Sequence, residues 1–422
     1  MLDQATLAFG GLGLFLLGMW LMTEGLKLAA GPALERLLAT WTSSRARGLL
    51  SGMTITALVQ SSSAVTLATL GFVNAGLLEF RRAVWVVFGS NVGTTLTAWL
   101  VALVGLKLQV DALAFPLIGV GALLRIFATR VRLQHLGMAL AGFGLFFLGI
   151  DTLGSAFEAI GDRVRFAQGG GNVVVMVVIG ILLTTAMQSS SAAIALVLTA
   201  LAGGVVGLDD AAAGVIGANI GTTSTALLGT LGATAEARRL AFAHVAFNLL
   251  TGLAALLALP LFLLLVTDLV GRPDEPAVTL AAFHTAFNVL GVLLMWPFEP
   301  RLSRWLLTRF RDRQISGSEP RYLDHNVAAV PQLAERALIM ELRGMLEEYP
   351  DLLTEAASAG REQAARSAAR EQRLDRMGDF FTDLSRSALG ENLSGQLARL
   401  WRVQHNLLNI EESLAEIARV LG

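Results

Sequence analysis

Long apolar runs fill the first three hundred residues of the chain and predict helices that cross a membrane. Each of two further runs, 48–78 and 171–208, is too long for one span and has a polar cluster near its middle. We predict a broken, re-entrant hairpin in both, because irregular backbone at membrane depth is tolerated only where protein buries it or it lines a cavity. Runs of about 20 residues, the length that spans a bilayer, occur near 5–29, 83–105, 112–128, 134–156, 211–232, 239–267 and 277–297.

Two polar motifs occur twice in the same register. Gln60–Ser63 (Gln-Ser-Ser-Ser) is followed by Gly89–Thr95, and Gln188–Ser191 is followed by Gly217–Thr223. Both motifs recur at the same offset, since position 60 corresponds to 188 and position 89 to 217. An unpaired polar group inside an apolar run costs several kcal/mol, so these groups are expected to bind something. The pattern predicts a membrane-embedded binding site built by duplication.

Composition supports an integral membrane protein, with 54% hydrophobic and 15% charged residues, whereas soluble domains carry about a quarter charged. The chain has no cysteine, so a disulfide, a thiol nucleophile and a thiolate metal site are excluded. Its five histidines show no metal-ligand spacing. The start of the chain lacks the basic region of a signal peptide, and we read the first span as retained.

The distribution of basic residues predicts the topology. With both runs as hairpins, loops on the side of the C-terminal region hold nine Lys or Arg and the opposite loops hold four; with both as spans the tally is eight to five. Each repeat then has an odd number of crossings, so the second copy is inserted upside down. The first helices also match, Gly11–Gly18 against Gly142–Gly149. We predict an inner-membrane protein with its C-terminal region in the cytoplasm.

The predicted fold is all-α, a polytopic membrane protein with two inverted-topology repeats, each with a re-entrant helical hairpin, and a soluble C-terminal helical bundle. Basic residues after Pro297 mark the cytoplasmic face, and three stretches with helical spacing, 330–348, 361–389 and 393–420, predict the bundle. The domain boundaries are 1–133 for repeat 1, 134–297 for repeat 2 and terminal helices, 298–320 for a basic linker, and 321–422 for the bundle.

The helix breaks predict a site for an anion and a cation together. Free N–H groups at the start of a second half-helix attract an anion, while free carbonyls at the end of the first suit sodium. Arginine and lysine are absent from both hairpin runs and from the spans that follow, so we infer that cations enter with the anion. We expect anion ligands at Ser61, Ser62, Ser63, Ser189, Ser190, Ser191, Asn91 and Asn219. We expect sodium ligands at Gln60, Gln188, Thr94, Thr95, Thr222 and Thr223.

These motifs resemble those of the type II sodium/phosphate cotransporters and their bacterial relatives, over roughly residues 5–297. The resemblance implies that the two Gln-Ser-Ser-Ser hairpins meet near the membrane centre and hold inorganic phosphate with co-transported sodium. Tyr322–Asp324, with Pro331 and Glu335, is similar to the phosphate-uptake-regulator (PhoU-like) domain of bacterial members. That similarity implies regulation or partner binding by the bundle. For the acidic residues Glu347, Glu348 and Asp351 we favour a solvated helix end over a metal site.

The resulting hypothesis is a sodium-coupled importer of inorganic phosphate that works by alternating access. The alternatives are the same architecture carrying sulfate or a carboxylate, and a phosphate sensor that signals through the bundle. An intramembrane serine hydrolase is disfavoured because the chain has no Gly-x-Ser-x-Gly elbow, so we expect no enzyme. Expected partners are phosphate, sodium and the lipid bilayer but no nucleic acid, with a homodimer and a regulatory partner of the bundle as open expectations.

A repeated His–Asn segment and two acidic residues have two interpretations each. His244–Asn248 recurs further along the chain as His284–Asn288, and we favour polar contacts between helices over a gate. Glu24 and Asp151 lie near the ends of spans, where an interfacial charge is favoured over a relay. Asp151 is the better relay candidate of the two.

Overall fold

The computed structural model is helical throughout the part of the chain that it describes. The described residues are 2–74, 76–105, 110–161, 172–230, 233–270, 275–310, 320, 322–323, 325–328, 331–348, 361–385 and 391–421. The predicted all-α fold is confirmed over these ranges, which contain no strand.

The first thirteen helices form the apolar part of the molecule. Those of the first half are α1 Leu2–Thr40, α2 Arg45–Val59, α3 Ser62–Asn74, α4 Phe80–Leu100 with a π-helical end at Val101–Gly105, and α5 Val110–Phe127. Those of the second half are α6 Val131–Gly161, α7 Val173–Met187, α8 Ser190–Ala202, α9 Leu208–Gly221, α10 Thr223–Leu228, α11 Ala235–Leu257, α12 Leu259–Val270 and α13 Pro276–Arg309. The C-terminal helices are α14 His325–Ala328, α15 Pro331–Glu348, α16 Arg361–Ser385 and α17 Glu391–Leu421.

Six helices in the described residues are long and apolar enough to cross a membrane, in α1, α4, α6, α9–α10, α11 and α13. Two predicted elements differ in the structure. The run 239–267 is divided between α11 and α12, because Pro260 has no N–H with which to continue the helix. Helix α13 passes through Pro297 and Pro300 to Arg309, so the start of the expected linker is helical. The rest of that linker, 311–319, lies outside the described residues.

Both predicted helix breaks are confirmed. Helix α2 ends at Val59 and α3 begins at Ser62, while α7 ends at Met187 and α8 begins at Ser190. The residue at each break is a glutamine in the left-handed region, with φ of 57° and 49°. These half-helices of 13 to 15 residues are about 20 Å long, too short for a hydrocarbon core of about 30 Å.

The packing of α2 on α4 shows that the chain turns back after each break. A Cβ added to Gly89 would overlap the carbonyl oxygen of Leu49, and one added to Gly93 would contact that of Met53. The contact advances in the same direction along both helices, so they are parallel. Because α3 connects two parallel helices, it has to return antiparallel to α2, which is a hairpin. Helices α7 and α9 repeat this arrangement through Gly217 and Gly221 against Val177 and Ile181.

Helices α1 and α6 pack against each other through reciprocal close contacts. A Cβ on Gly18 would overlap the backbone of Phe146, and a Cβ on its counterpart Gly149 would overlap the backbone of Phe15. The two phenylalanine rings, also counterparts, have centroids 5.4 Å apart. Contact positions fall along α6 as they rise along α1, so these two helices pack antiparallel.

The chain divides into two compact units. The first extends to Thr66 and includes Val84–Leu228 and Ala241–Arg304, with a core around Phe146, Ile150 and Phe283. The second combines Leu67–Ala83, Gly229–Leu240 and the chain from Trp305 onward.

Within the second unit, α15 and α16 both pack on α17, and buried ion pairs join them. Arg370 Nε is 2.7 Å from Glu411 Oε1, and Arg373 Nε is 2.5 Å from Glu341 Oε1. Removing one partner of a buried pair leaves an uncompensated charge, so the loss of either partner would destabilise the contact between the two helices.

Candidate functional site

The two helix breaks lie beside each other and line a partly open cavity of about 220 Å³ in the first unit. The structure therefore brings together two clusters that are far apart in the sequence. The lining residues are Leu16, Met19, Trp20 and Thr23 of α1, Gln60–Ser63, and Met187–Ala192. None of them is charged, so any ion in the cavity is held by dipoles and hydrogen bonds.

The first serine of each cluster caps the half-helix that follows it. Ser61 Oγ accepts a hydrogen bond from the Ala64 N–H at 3.2 Å, and Ser189 Oγ accepts one from the Ala192 N–H at 3.2 Å. The cap uses a lone pair of the hydroxyl oxygen and leaves its hydrogen as a donor. Each half-helix start also carries free N–H groups and the positive end of the helix dipole. Both breaks therefore present donors to the cavity.

The glutamine at each break bonds a threonine that follows the second motif, on α4 in the first repeat and on α10 in the second. Gln60 Nε2 donates to the Ala57 carbonyl at 2.6 Å, and Gln188 Nε2 donates to the Thr185 carbonyl at 2.6 Å. Each glutamine Oε1 accepts a threonine hydroxyl, with distances of 2.9 Å and 3.1 Å. The side-chain amides are thus partly used in holding the break, and one lone pair on each oxygen stays available.

The two threonines that bond these glutamines are Thr97 and Thr225, which the sequence reasoning missed. A signal for them was present, because each is followed by alanine and lies two residues beyond the second motif in both copies. Thr97 Oγ1 is also 3.4 Å from Ser191 Oγ, so it links the first break to the second.

None of the second-motif side chains lines the cavity. The hydroxyls of Thr94, Thr95, Thr222 and Thr223 donate to carbonyls of the preceding turn in their own helix. Asn91 Nδ2 likewise donates to the Val87 carbonyl at 2.9 Å. Among the described residues, the part of the cavity wall that the two breaks do not form comes from α1. The motif glycines account for this placement, since they are the residues of the motif that pack directly on α2 and α7.

Asn219 lies in a separate buried cluster with the two repeated histidine–asparagine segments. Its Nδ2 donates to Asn248 Oδ1 at 3.3 Å and to Asn288 Oδ1 at 3.0 Å. His284 Nε2 is 3.4 Å from Asn219 Oδ1. These bonds connect α9, α11 and α13, as the favoured interpretation of polar contacts between helices predicts.

Most other candidate charges have partners outside the cavity. Glu24 pairs with Lys27 at 3.4 Å, Glu347 with Arg343 at 3.1 Å, and Glu348 with Arg373 at 3.2 Å. Asp151 is exposed on α6 and does not line the cavity. Asp324 and Asp351 lie outside the described residues.

The comparison with known families agrees with this geometry. The model of the Na+/Pi-cotransporter family matches two consecutive stretches, residues 14–155 and 160–295, together more than half of the chain. The chain belongs to the Na+/Pi-cotransporter family. Each matched stretch contains one Gln-Ser-Ser-Ser break and its second motif. Proteins of this family are transporters, and the multi-pass membrane character of the chain is supported by its six apolar helices.

The names of two of the three relatives compared below mention phosphate. The chain is 34% identical to the uncharacterized protein YqeW of Bacillus subtilis over 67% of its length and 91% of that protein. It is 30% identical to the putative inorganic phosphate export protein YjbB of Escherichia coli, over 75% of its length and 58% of that relative. A segment of 102 residues is 34% identical to the sodium-dependent phosphate transport protein 2A of Rattus norvegicus, covering 24% of this chain and 16% of that protein. No solved structure matches the chain.

Proposed function

We propose that this protein moves inorganic phosphate across the inner membrane together with sodium, and that phosphate binds in the cavity between the two helix breaks. The observation that carries the proposal is the convergence of two capped half-helix starts, with their serine hydroxyls, on one cavity of about 220 Å³. Phosphate is a hydrogen-bond acceptor on every oxygen, and donors from two sides suit it. The ligands we assign to it are the serines at 61–63 and 189–191.

The charge of the lining supports coupling to sodium. A helix end contributes about 0.3–2 kcal/mol toward an anion, and a hydrogen bond to a charged group about 1.5–3 kcal/mol. These contributions are small against the desolvation of a multivalent anion, and no lining residue is cationic. Sodium ions that enter with phosphate supply the missing positive charge. The terminal carbonyls of α2 and α7, with Gln60 and Gln188, provide oxygen ligands at the same breaks.

Two features support alternating access by inverted repeats. Equivalent helices α1 and α6 are antiparallel, as copies inserted in opposite orientations have to be. Each hairpin consists of half-helices too short to span the bilayer, so each enters and leaves on one side. Together with the distribution of basic residues, this arrangement favours a cytoplasmic C-terminal bundle. Asn91 and Asn219 then orient helices around the site rather than contact phosphate.

The direction of transport is set by the ion gradients in this proposal. A coupled carrier moves phosphate inward when sodium enters down its gradient, so import is expected in a cell that keeps sodium out. The name of the YjbB relative states export. Measuring both uptake and efflux therefore tests the direction of transport separately from the identity of the substrate.

The deciding experiment is uptake of labelled phosphate by the purified protein in proteoliposomes. An inward sodium gradient should drive accumulation, whereas an equal potassium gradient should not. Sulfate, arsenate and dicarboxylates are added as unlabelled competitors, and strong competition by sulfate or a dicarboxylate would assign the carrier to another anion. Phosphate uptake that ignores the sodium gradient would refute the coupling.

Single substitutions locate the site. Ser62→Ala and Ser190→Ala each remove one donor at a half-helix start, and each should raise the half-saturating phosphate concentration about tenfold, the equivalent of about 1.4 kcal/mol. Ser413→Ala is the matched control, because its exposed hydroxyl donates to the Asn409 carbonyl within α17 and does not line the cavity. If both cavity variants behave like the control, phosphate binds elsewhere.

A further inference from the structure

The cavity has a wall from α1 but none from its counterpart α6. Helix α1 contributes Leu16, Met19, Trp20 and Thr23. In the register that aligns Gly18 with Gly149, their counterparts on α6 are Phe147, Ile150, Asp151 and Gly154. None of these four lines the cavity. The two equivalent helices therefore have different surroundings in this structure.

The end of α4 covers the counterpart face of α6. Phe147 and Ile150 are buried there, with 5% and 0% of their surface exposed. A Cβ on Gly105 would stand 3.3 Å from Ile150 Cδ1 and 3.5 Å from Phe147 Cδ1. Gly105 closes the π-helical segment Val101–Gly105, a conformation that is rare and concentrated at functional positions. Asp151, one residue further along α6, is exposed at the edge of this contact.

In the second repeat, the described positions that correspond to the start of this cover are not helical. Helix α9 stops at Gly221, and the short α10 ends at Leu228. In the register that aligns Gln60 with Gln188, the counterparts of Val101 and Ala102 are Gly229 and Thr230, which form a turn. The extension that closes the α6 face in the first repeat is therefore not helical at these positions in the second.

The glutamine at each break shows the same difference. Gln60 is 4% exposed, and its partner Thr97 is 2% exposed and reaches Ser191. Gln188 is exposed and its bond to Thr225 is a surface bond. The first repeat is thus closed over its break, and the second is open. The two repeats share one local geometry at their breaks. A second state in which the first break is open and the second is closed would therefore use the same contacts.

We propose that Asp151 lines the transport pathway in this second state, in which the end of α4 leaves α6 and the α1 face is covered instead. The inference rests on the proposed function. Since the present lining carries no charge, Asp151 would give the opposite-facing cavity one carboxylate. That carboxylate attracts sodium and repels phosphate, which favours phosphate release on that side. A carboxylate within a candidate span that has no ion pair among the described residues fits such a role.

Thiol labelling tests the exchange directly, because the chain has no cysteine of its own. Thr23→Cys reports the α1 face, and Gly154→Cys reports the α6 face; a Cβ at Gly154 meets only Thr199 Cγ2, at 4.0 Å. A charged thiol reagent is applied to the purified protein in detergent, without ligand, with sodium, and with sodium and phosphate. The two labelling rates should change in opposite directions, each by threefold or more. Changes in the same direction, no change, or a Gly154→Cys site that never reacts would overturn the proposal.

A reversible cross-link tests whether the end of α4 has to move. Gly105→Cys with Ile150→Cys, joined by a short reducible bifunctional reagent, should lower phosphate transport more than tenfold, and reductant should restore it. The single variants treated with the same reagent are the controls. Transport that survives the cross-link would show that α4 stays on α6 throughout the cycle. Absence of phosphate transport in the untreated parent would refute the proposed function instead, while labelling with sodium alone still tests this inference.

The role of the carboxylate is tested by Asp151→Asn. The half-saturating sodium concentration should rise at least threefold. Phosphate affinity should stay unchanged in the present state, in which α1 lines the cavity. Asp268→Asn is the matched control, an exposed carboxylate on the apolar helix α12. If Asp151→Asn leaves the sodium dependence of transport at the parent value, Asp151 is not in the pathway.

Discussion

The two broken helices share their backbone and differ in their surroundings. In both, a left-handed glutamine precedes a capping serine. The capping bonds are 3.2 Å long in both repeats, and the glutamine–threonine bonds are 2.9 Å and 3.1 Å. Yet Gln60 is buried beside a continuous α4, whereas Gln188 is exposed and bonds the short helix α10, which follows the end of α9 at Gly221. Duplication therefore preserved the local geometry of the breaks, and the helices around each break determine which one is accessible.

The largest effect is expected where the two repeats are alike. Gly52→Ala places a methyl group onto the Val86 carbonyl oxygen, and Gly180→Ala places one onto that of Gly214. Forced overlap with backbone costs about 1–3 kcal/mol or more, so both variants should lose transport and unfold at lower temperature. Gly13→Ala is the control, because nothing lies within 4 Å of its added Cβ. Size-exclusion profiles and thermal unfolding check this, and a harmless substitution at either position would contradict the shared packing.

A tenfold or greater loss of phosphate affinity is expected from a charge at the helix starts. Ser61→Asp and Ser189→Asp keep a side chain that caps the half-helix, since Asp and Ser cap comparably well. Their carboxylates repel the anion, so half-saturating phosphate should rise in both variants while the melting temperature holds. Transport kinetics and thermal unfolding of the same preparations separate the two readouts. A fall in stability without a change in affinity would mean that the serines only cap.

A smaller effect, on stability, should distinguish the two repeats. Gln60→Ala removes the nearer of the two acceptors of the buried Thr97 hydroxyl and should cost about 1–3 kcal/mol. Gln188→Ala removes an exposed bond and should change stability by no more than about 0.5 kcal/mol. Thermal unfolding of the two variants measures the difference. Equal costs would contradict the closed and open assignment, and a Gln60→Ala, Thr97→Val double variant should show non-additivity.

The smallest effect on uptake is expected from removing residues 314–422. In the second unit the turn after α3 contacts the C-terminal bundle, where a Cβ on Gly76 would lie 3.6 Å from Met340 Cε and 3.7 Å from Tyr322. We expect uptake to continue with a changed maximal rate and an unchanged half-saturating phosphate concentration. Glu411→Gln, which breaks a buried ion pair within the bundle, is a milder variant for comparison. Complete loss of uptake would make the bundle part of the transport machinery.

Sequence reasoning predicted the breaks but not everything around them. Polar clusters inside apolar runs located Gln60 and Gln188. The family resemblance, not the spacing, implied that the two clusters meet. The orientation of the second motif was not predictable in this way. Its polar residues lie on more than one side of the helix, and only the packing of that helix decides which side lines the cavity. Asn219 is the example, since its amide bonds two asparagines from helices that follow it in the chain. Helix α1 was missed for the same reason, as its cavity-lining residues are mostly apolar.

The chain alone determines local features: the positions of the breaks, the serine caps and the lack of a basic residue near them. These depend on residues within one turn of each other, so their identities are sufficient. Only the folded molecule decides which break is buried, which helix walls the cavity and where Asp151 lies. Those features depend on contacts between residues far apart in the chain, such as Thr97 with Ser191 or Gly18 with Phe146, and on helix packing angles that no short pattern encodes.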